Sequence, residues 1–459
     1  MSACVKLVEP GSAGCENRKG EGYLVKIVDL RITPIAFADP PLRSSYGLHA
    51  RYALRTVVEL VGADGIVGVA EAHGGEQTLG DFERSREAIV GREVYDLARI
   101  WLAIANTLGV AGAAAADRSH TYLLPGESRL DVPLRVYAAI EVAALDAIGK
   151  MVGRPVCDLL GGRVRDEVPF SAYLFFKHAG GGGIGDDERP DIWGEALTAE
   201  AIVAQAIAMI AEYGFGSVKL KAGVFDPDVE IETMRALREA LGPRVPLRID
   251  PNGAWSVETS LRVGAELAGA LEYLEDPTPG LDGMAAVRRG LLASGIELPL
   301  ASNIAVTNFA DVPEAVRSDA VQVILGDHHY WGGPRAVTQL GRMCETFGLG
   351  LSMHSNSHLG VSLLAMTHLA AATPGLTYAC DTHYPWQHTQ DEIIQGGRVP
   401  IVNGAVRVPD GPGLGVELDR DALARGRERY DRCGYRNRDD AVEMRRFVDP
   451  TWNRVVPAW

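Results

Sequence analysis

The sequence predicts a parallel α/β barrel joined to a discontinuous α+β capping domain, on three observations. First, from Val168 onward short apolar runs alternate with amphipathic stretches, at 169–175, 217–221, 246–250, 271–275, 298–302, 321–325, 349–353 and 376–380. Second, several of these runs recur at about 25–30 residues, the length of a strand plus its return helix. Third, the pattern differs on either side: three strand-like runs and then three helical ones precede Val168, and the alternation stops past Gly404. Eight strand-like runs with intervening helices give a (β/α)8-type barrel.

The residues before the barrel are read in order. Leu24 to Ile35, 54–61 and 66–70 are rich in Val, Ile and Leu with partial alternation, as in an antiparallel meander. The segment from Asp39 to His49 carries Pro40 and Pro41, which resist pairing in a ladder, so a long, lid-like loop is expected there. Helical periodicity follows at 81–90, 94–107 and 137–151. Within the barrel, helices are expected at 200–213, 231–241, 257–267, 334–347 and 361–371, and the glycines at 180–183 suggest a flexible insertion. A short strand near 406–410 and a helix over 419–433 follow the barrel. The first unit has too few elements to close alone, so this segment is expected to return to it. The division predicted is a mobile tail over 1–22, a capping domain of 23–160 plus 405–459, and a barrel of 161–404.

Composition bounds the chemistry. The 459 residues carry 47% hydrophobic and 23% charged side chains and a formal net charge of -15. With no dense Lys/Arg face, nucleic-acid binding is not expected. No apolar run approaches the roughly 18 residues of a membrane span, and the N-terminus lacks a signal-peptide pattern. The six cysteines (Cys4, Cys15, Cys157, Cys344, Cys380 and Cys433) form no C-x-x-C pair, which suggests reduced thiols in a cytoplasmic protein.

Working groups in parallel barrels stand at the C-terminal ends of the strands. Here those positions are Tyr173, Lys219 and Lys221, Asp250 and Asn252, Glu275, Asn303, Asp327, His354, and Asp381 with His383. Lys219 and Lys221 are two apart, so both face the pocket, and their mutual repulsion is expected to lower one pKa. Asp250, Glu275 and Asn303 offer three oxygen ligands on successive strands, a set suited to Mg2+ rather than zinc or copper. His354 falls across the barrel from the lysines, with Asp327 ending the preceding strand as its hydrogen-bond acceptor. Zinc binding by His354 and His358 is the rival reading, although the Glu of a metalloprotease helix is absent. His328 and His329 read as surface or packing residues, and Arg438 taken alone as a surface charge. A Schiff-base lyase using Lys219 or Lys221 as nucleophile and a non-catalytic sugar-acid binder also stay open.

The runs Val218-Lys219-Leu220-Lys221, Asp250-Pro251-Asn252-Gly253-Ala254-Trp255, Glu275-Asp276-Pro277, Ser302-Asn303, His354-Ser355-Asn356, Asp381-Thr382-His383 and Arg438-Asp439-Asp440 resemble the enolase superfamily. Within it they are similar to the glucarate dehydratase group of the mandelate racemase branch, from about Val25 to Asp449. The resemblance implies the (β/α)7β form of the barrel and a Mg2+-dependent acid-sugar dehydratase, a general mechanism known for such sites. It implies Lys221 as the base on one face of the α-carbon, Lys219 as partner of the substrate carboxylate, and His354, held by Asp327, as base and acid on the other face. It also implies Asp250, Glu275 and Asn303 as metal ligands. Substrate contacts are implied for Tyr173, Asn252, Asn303, Ser355, Asn356, His383 and Arg438, and for His49 at the distal end. The implied substrate is a diacid, D-glucarate giving 5-keto-4-deoxy-D-glucarate, and a homo-oligomer is expected. The chain departs from the group at Ser44, where an asparagine is usual, and at His328, where a proline is usual. A substrate-contacting threonine before the Tyr137 helix has no counterpart, and 180–183 is an altered loop. With the lid altered, another acid sugar, or net epimerisation, is the alternative.

Overall fold

The computed structural model describes residues 25–109 and 132–459. The tail predicted over 1–22 and the segment searched for a threonine lie outside the described residues. The chain first forms β1 (Ile27–Ala38), the short strands β2 (Arg43–Ser44) and β3 (Gly47–Leu48), then β4 (Tyr52–Gly62) and β5 (Val67–His73). Strands β1, β4 and β5 make an antiparallel sheet in that order. Helices α1 (Glu76–Ile89), α2 (Leu97–Leu108), α3 (Val132–Val152) and α4 (Val156–Leu159) follow. Glycine at position 68 lets β5 lie close on α3, since a Cβ there would meet the Ala143 carbonyl oxygen at 1.9 Å.

The barrel begins with β6 (Glu167–Phe175) and proceeds through α5 (Ala199–Tyr213), β7 (Val218–Lys221), α6 (Pro227–Leu241), β8 (Leu247–Asp250), α7 (Val257–Glu266) and β9 (Tyr273–Glu275). It continues with α8 (Gly280–Ala293), β10 (Leu300–Ser302), α9 (Val312–Arg317), β11 (Val323–Gly326), α10 (Pro334–Phe347), β12 (Gly350–Met353), α11 (Gly360–Ala371) and β13 (Cys380–Asp381). Strands β6 to β12 pair in sequence order and β13 adjoins β6. The remaining seam is bridged where Ser352 Oγ donates to the Ala379 carbonyl, 2.9 Å, and Thr377 N to the Leu351 carbonyl, 3.0 Å. Eight parallel strands thus form a nearly closed barrel, and no α-helix follows β13 before β14 (Ala405–Arg407), which pairs antiparallel with β6. The chain ends with α12 (Arg420–Cys433), packed on β1, and α13 (Asp440–Phe447), packed on β3.

Local chemistry explains the alternation. Thr198, Ser256 and Asp419 cap α5, α7 and α12 by accepting from backbone N–H groups, and Asp226 with Pro227 starts α6. Strand side chains point alternately outward to the helices and inward, so Leu220, Ile249 and Leu274 join the main core while their neighbours face the barrel interior. Low in the interior Tyr273, Ala301, Val323 and Leu325 form a small apolar layer. Charged groups stand above it. Among the described residues, no helix is long and apolar enough to cross a membrane.

The segment over 180–183 differs from its predicted flexibility. Gly182, at φ +83°, lies so close to Asp39 that a Cβ would meet its carbonyl oxygen at 2.2 Å. Gly183 N donates to the Arg51 carbonyl, 2.7 Å. Just beyond, Asp187 accepts from Arg429 Nε at 3.0 Å, and Asp391 Oδ1 lies 2.6 Å from Arg189 Nη2 and 2.9 Å from Arg429 Nη1. Glycine is here a requirement of close packing, and the loop is fixed between the cap and the barrel.

Candidate active site

The register of the sheet sets the site. Lys221 pairs with Asp250 across β7 and β8, and Lys219 with Tyr173 across β6 and β7, so these four side chains rise into the barrel mouth at neighbouring levels. Lys219 Nζ is fully buried, 2.7 Å from Glu275 and from Asp381 Oδ2 and 3.3 Å from Asp250 Oδ2. Lys221 Nζ lies higher, 2.6 Å from Asp250 Oδ2. Burial opposes the charge of both amines. For Lys219 the carboxylates of Asp381 and Glu275 outweigh it and hold the pKa well above the usual lysine value. For Lys221 burial prevails over Asp250, with Lys219 adding repulsion, and the pKa is lowered. Repulsion between the lysines contributes as the sequence suggested, but burial is the larger cause.

Asp250 Oδ1 accepts from Asn252 N at 3.0 Å and Nδ2 at 2.8 Å, which holds Asn252 at a φ of 46°. Asp276, at φ 37°, accepts from Ser302 Oγ, 2.6 Å, and from Asn303 N, 2.9 Å. Burial raises the Asp276 carboxyl to about 6. Burial, then the nearby Asp250 charge, pushes Glu275 well above the usual carboxylate range. Its Oε2 receives no directed hydrogen bond despite the nearby Lys219 ammonium.

The Asn303 amide links the two sides of the mouth. One end lies 3.2 Å from His354 Nε2, and the other lies 2.9 Å from Asp276 Oδ2 and 3.3 Å from Glu275 Oε1. With its nitrogen toward the acids, the amide donates to both, and its oxygen can accept from His354 Nε2 only when that ring is an imidazolium. With its oxygen toward them, oxygens crowd together around acids that burial already holds against ionising, and a cation reconciles them. Crowded carboxylates, an amide oxygen and no thiolate fit a hard divalent ion.

His354 Nδ1 lies 2.8 Å from Asp327 Oδ2. A carboxylate only accepts, so Nδ1 carries the proton, and in the neutral ring the Nε2 lone pair is left toward Asn303. Burial opposes the Asp327 charge, but His329 and then His354 hold the carboxyl well below its usual range. His328 and His329, read as surface or packing residues, are buried and so not at the surface. His329 Nδ1 lies 2.8 Å from Asp327 Oδ1. Asp327, His328 and His329 bring ligand atoms within 4.8 Å of one another; Asp327 is already engaged by hydrogen bonds with His329 and His354, and the His328 ring packs on that of His329 with centroids 3.9 Å apart. The zinc pair does not form, because His358 contacts Ser362 Oγ at 3.2 Å and Thr382 Oγ1 at 3.1 Å while His354 holds Asp327. His329 was missed because nothing in Asp327-His328-His329 says which imidazole turns back to the acid.

Above these groups opens a cavity of about 440 Å³. Lys221, Asn252, Asn303, His354, Tyr173, Ser355, Asn356 and His383 line its floor and walls, and His49, Ser44 and Arg438 its cap end. Asp250, Glu275, Lys219 and Asp327 lie beneath or behind that lining and are fully or almost fully buried. Ser355 Oγ lies 3.1 Å from His383 Nδ1, His49 Nδ1 lies 3.0 Å from Asp39 Oδ2, and Arg438 is held by Asp440 through Nε and Nη2 at 2.7 and 2.5 Å. Arg438, a surface charge when taken alone and a substrate contact by the resemblance, lines the pocket. The structure brings the sequence-predicted site residues to one barrel mouth.

Residues 201–422 match the family described as enolase C-terminal domain-like. A probable glucarate dehydratase of Streptomyces coelicolor is 48% identical over 94% of this chain and 99% of its own. The crystal structure of an enolase from Thermobispora bispora, complexed with magnesium and formate, superposes with a TM-score of 0.85 at 50% identity, covering 95% of this chain and 100% of that one. Another from Pseudomonas fluorescens, with bound magnesium, potassium and tartrate, gives a TM-score of 0.88 at 46% identity over 95% and 99%. The chain belongs to the enolase superfamily, among its glucarate dehydratase-like hydro-lyases.

Proposed function

We propose that this acid-sugar dehydratase is magnesium-dependent and converts D-glucarate to 5-keto-4-deoxy-D-glucarate. The observation carrying this reading is that Lys221 and His354 line one cavity from strands on opposite sides of the barrel, with Asn303 between them. Asp250, Glu275 and Asn303 would hold the ion, which supplies positive charge against the charge developing on the substrate carboxylate. His354 Nε2 takes the proton from C5, and the imidazolium, steadied by Asp327, returns a proton to the C4 hydroxyl as it leaves as water. The resulting enol tautomerises to the 5-keto product. Lys221 stands at the other face of C5, where it serves the epimer of opposite configuration, and the buried Lys219 adds positive charge beneath the reacting carboxylate.

A diacid is favoured by the cap end of the cavity. Arg438, fixed by Asp440 through two nitrogens, keeps Nη1 for another acceptor, and His49 stands beside it in the lining. The relative that binds tartrate, itself a hydroxy-diacid, supports the same class. Tyr173, Asn252, Ser355, Asn356 and His383 would contact the hydroxyls and near carboxylate.

A panel of hexarates and aldonates assayed with Mg2+ for keto-acid formation tests the proposal. Glucarate should be turned over, EDTA should abolish the reaction, and added Mg2+ should restore it. Turnover of aldonates alone, or full activity in chelator, would defeat it.

A further inference from the structure

Behind the His354–Asp327 pair runs a chain of buried polar groups that leaves the barrel and ends in the cap. His329 donates to the second oxygen of Asp327, twice: through Nδ1 at 2.8 Å and through its backbone N at 2.7 Å. Because a carboxylate cannot donate, the Nδ1 proton is fixed whatever the other ring nitrogen does. His329 Nε2 lies 3.1 Å from Arg55 Nη2, with Ser362 Oγ and the Glu71 carbonyl each at 3.2 Å. Arg55, on β4, is 2% exposed and donates through Nε to Glu71 of β5 at 2.8 Å. Through Nη1 it reaches Asn356 Oδ1 at 3.0 Å.

Glu71 completes the arrangement from the other end. Its carboxylate accepts from Leu359 N at 2.9 Å and from Ser362 N at 3.1 Å, so an acid of the cap closes the first turn of α11. The loop that carries His354, Ser355 and Asn356 is therefore pinned at three places. His354 is held through Asp327 and His329, Asn356 by Arg55, and the start of α11 by Glu71. Two of these pins are cap side chains.

We propose that His329, seated by the Arg55–Glu71 pair of the cap, is a positioning residue that orients Asp327 and through it the His354 imidazole, so that docking of the cap and readiness of this base are one event. The inference rests on the two-base reading given above. It makes the two walls of the pocket unequal: the lysine wall is held by strand-end acids of the barrel, whereas the histidine wall is completed only when the cap is seated. His329 touches no reacting atom in this arrangement. Its effect passes through Asp327.

The test compares H329L with H329N in the Mg2+-supplemented full-length enzyme. Asparagine keeps an N–H near the position of the imidazole Nδ1, and leucine removes it. Solvent deuterium exchange is followed at C5 of D-glucarate, served by His354, and at C5 of its epimer, served by Lys221. H329L should slow glucarate exchange and dehydration roughly 10–100-fold while epimer exchange and KM change less than about threefold. H329N should recover most of the loss. Equal slowing at both faces, or no slowing at either, would overturn the proposal. An activity-independent readout separates it from the parent reading: in histidine-labelled protein, H329L should displace the His354 Nδ1 proton resonance. If the wild type turns over no acid sugar, the parent reading fails, and an unmoved resonance would then overturn the relay as well.

Discussion

The lysine wall and the histidine wall of the pocket face the same cavity but are built differently. Lys219 and Lys221 sit on β7, and the acids that hold them end β8, β9 and β13 of the same barrel sheet. Their geometry follows from strand register alone. His354 ends β12, but the groups that steady it run through Asp327 and His329 to Arg55 in a different sheet. A side chain held by adjacent strands inherits the rigidity of the sheet. One held through a chain of hydrogen bonds depends on every link and on how two sheets are docked.

The largest effects should come from the walls themselves. Lys221→Met and His354→Asn should each remove roughly 10²–10⁴-fold of deuterium exchange, each at its own face of C5, with His354→Asn also abolishing glucarate dehydration. Equal losses at both faces from either variant would erase the distinction. Next come the carboxylates. Asp327→Asn leaves His354 without a carboxylate partner and should lower kcat roughly 10–100-fold, whereas Asp381→Asn should cost less than about tenfold because Lys219 keeps Glu275 and Asp250. A greater loss in Asp381→Asn, measured by steady-state kinetics, would reverse the ranking.

A further contrast is one of stability against pH. His368, on the α11 helix behind the histidine wall, lies with Nε2 3.2 Å from the Leu414 carbonyl, while Nδ1 faces the Cys157 N–H at 3.4 Å. One nitrogen must donate and the other accept, so the ring is needed neutral. Burial pushes its pKa down from 6.5 to about 4. Since the folded pKa is depressed, its stabilisation is fully present above pH 6.5 and is lost as pH falls toward 4, about 3 kcal/mol in all. Urea midpoints across this range should fall less steeply in His368→Gln, and an unchanged slope would remove the assignment. The smallest effect belongs to the lid. Ser44→Asn, which adds an amide at the cap end of the cavity, should shift KM for glucarate by about two- to tenfold with kcat kept, the scale of one hydrogen bond.

Much of the lysine wall was legible without coordinates. Lys219 and Lys221 at a spacing of two, and polar residues closing successive apolar runs, fix both face and height once the runs pair in order. The histidine wall was legible only to the pair His354 and Asp327. Arg55 lies within one strand-like run of the cap and Glu71 just past another, and no local periodicity says that they meet a loop about 300 residues away. The glycines over 180–183 misled for a related reason: composition suggests freedom, whereas the carbonyls of Arg189, Asp39 and Asp187 leave no room for a Cβ at positions 181, 182 and 183.

The sequence by itself determined the order of strands and helices, the inward face of each strand and the set of groups at the barrel mouth. These are properties of short periodic segments, whose side-chain directions are set by backbone geometry. Tertiary structure alone decided which nitrogen of His354 faces Asp327, that the Asn303 amide spans from His354 to the acids, and how far the Arg55 guanidinium reaches into the base loop. Those outcomes depend on distances of a few ångströms between segments far apart in the chain, and hydrogen bonding is too short-ranged to be read before the segments are brought together.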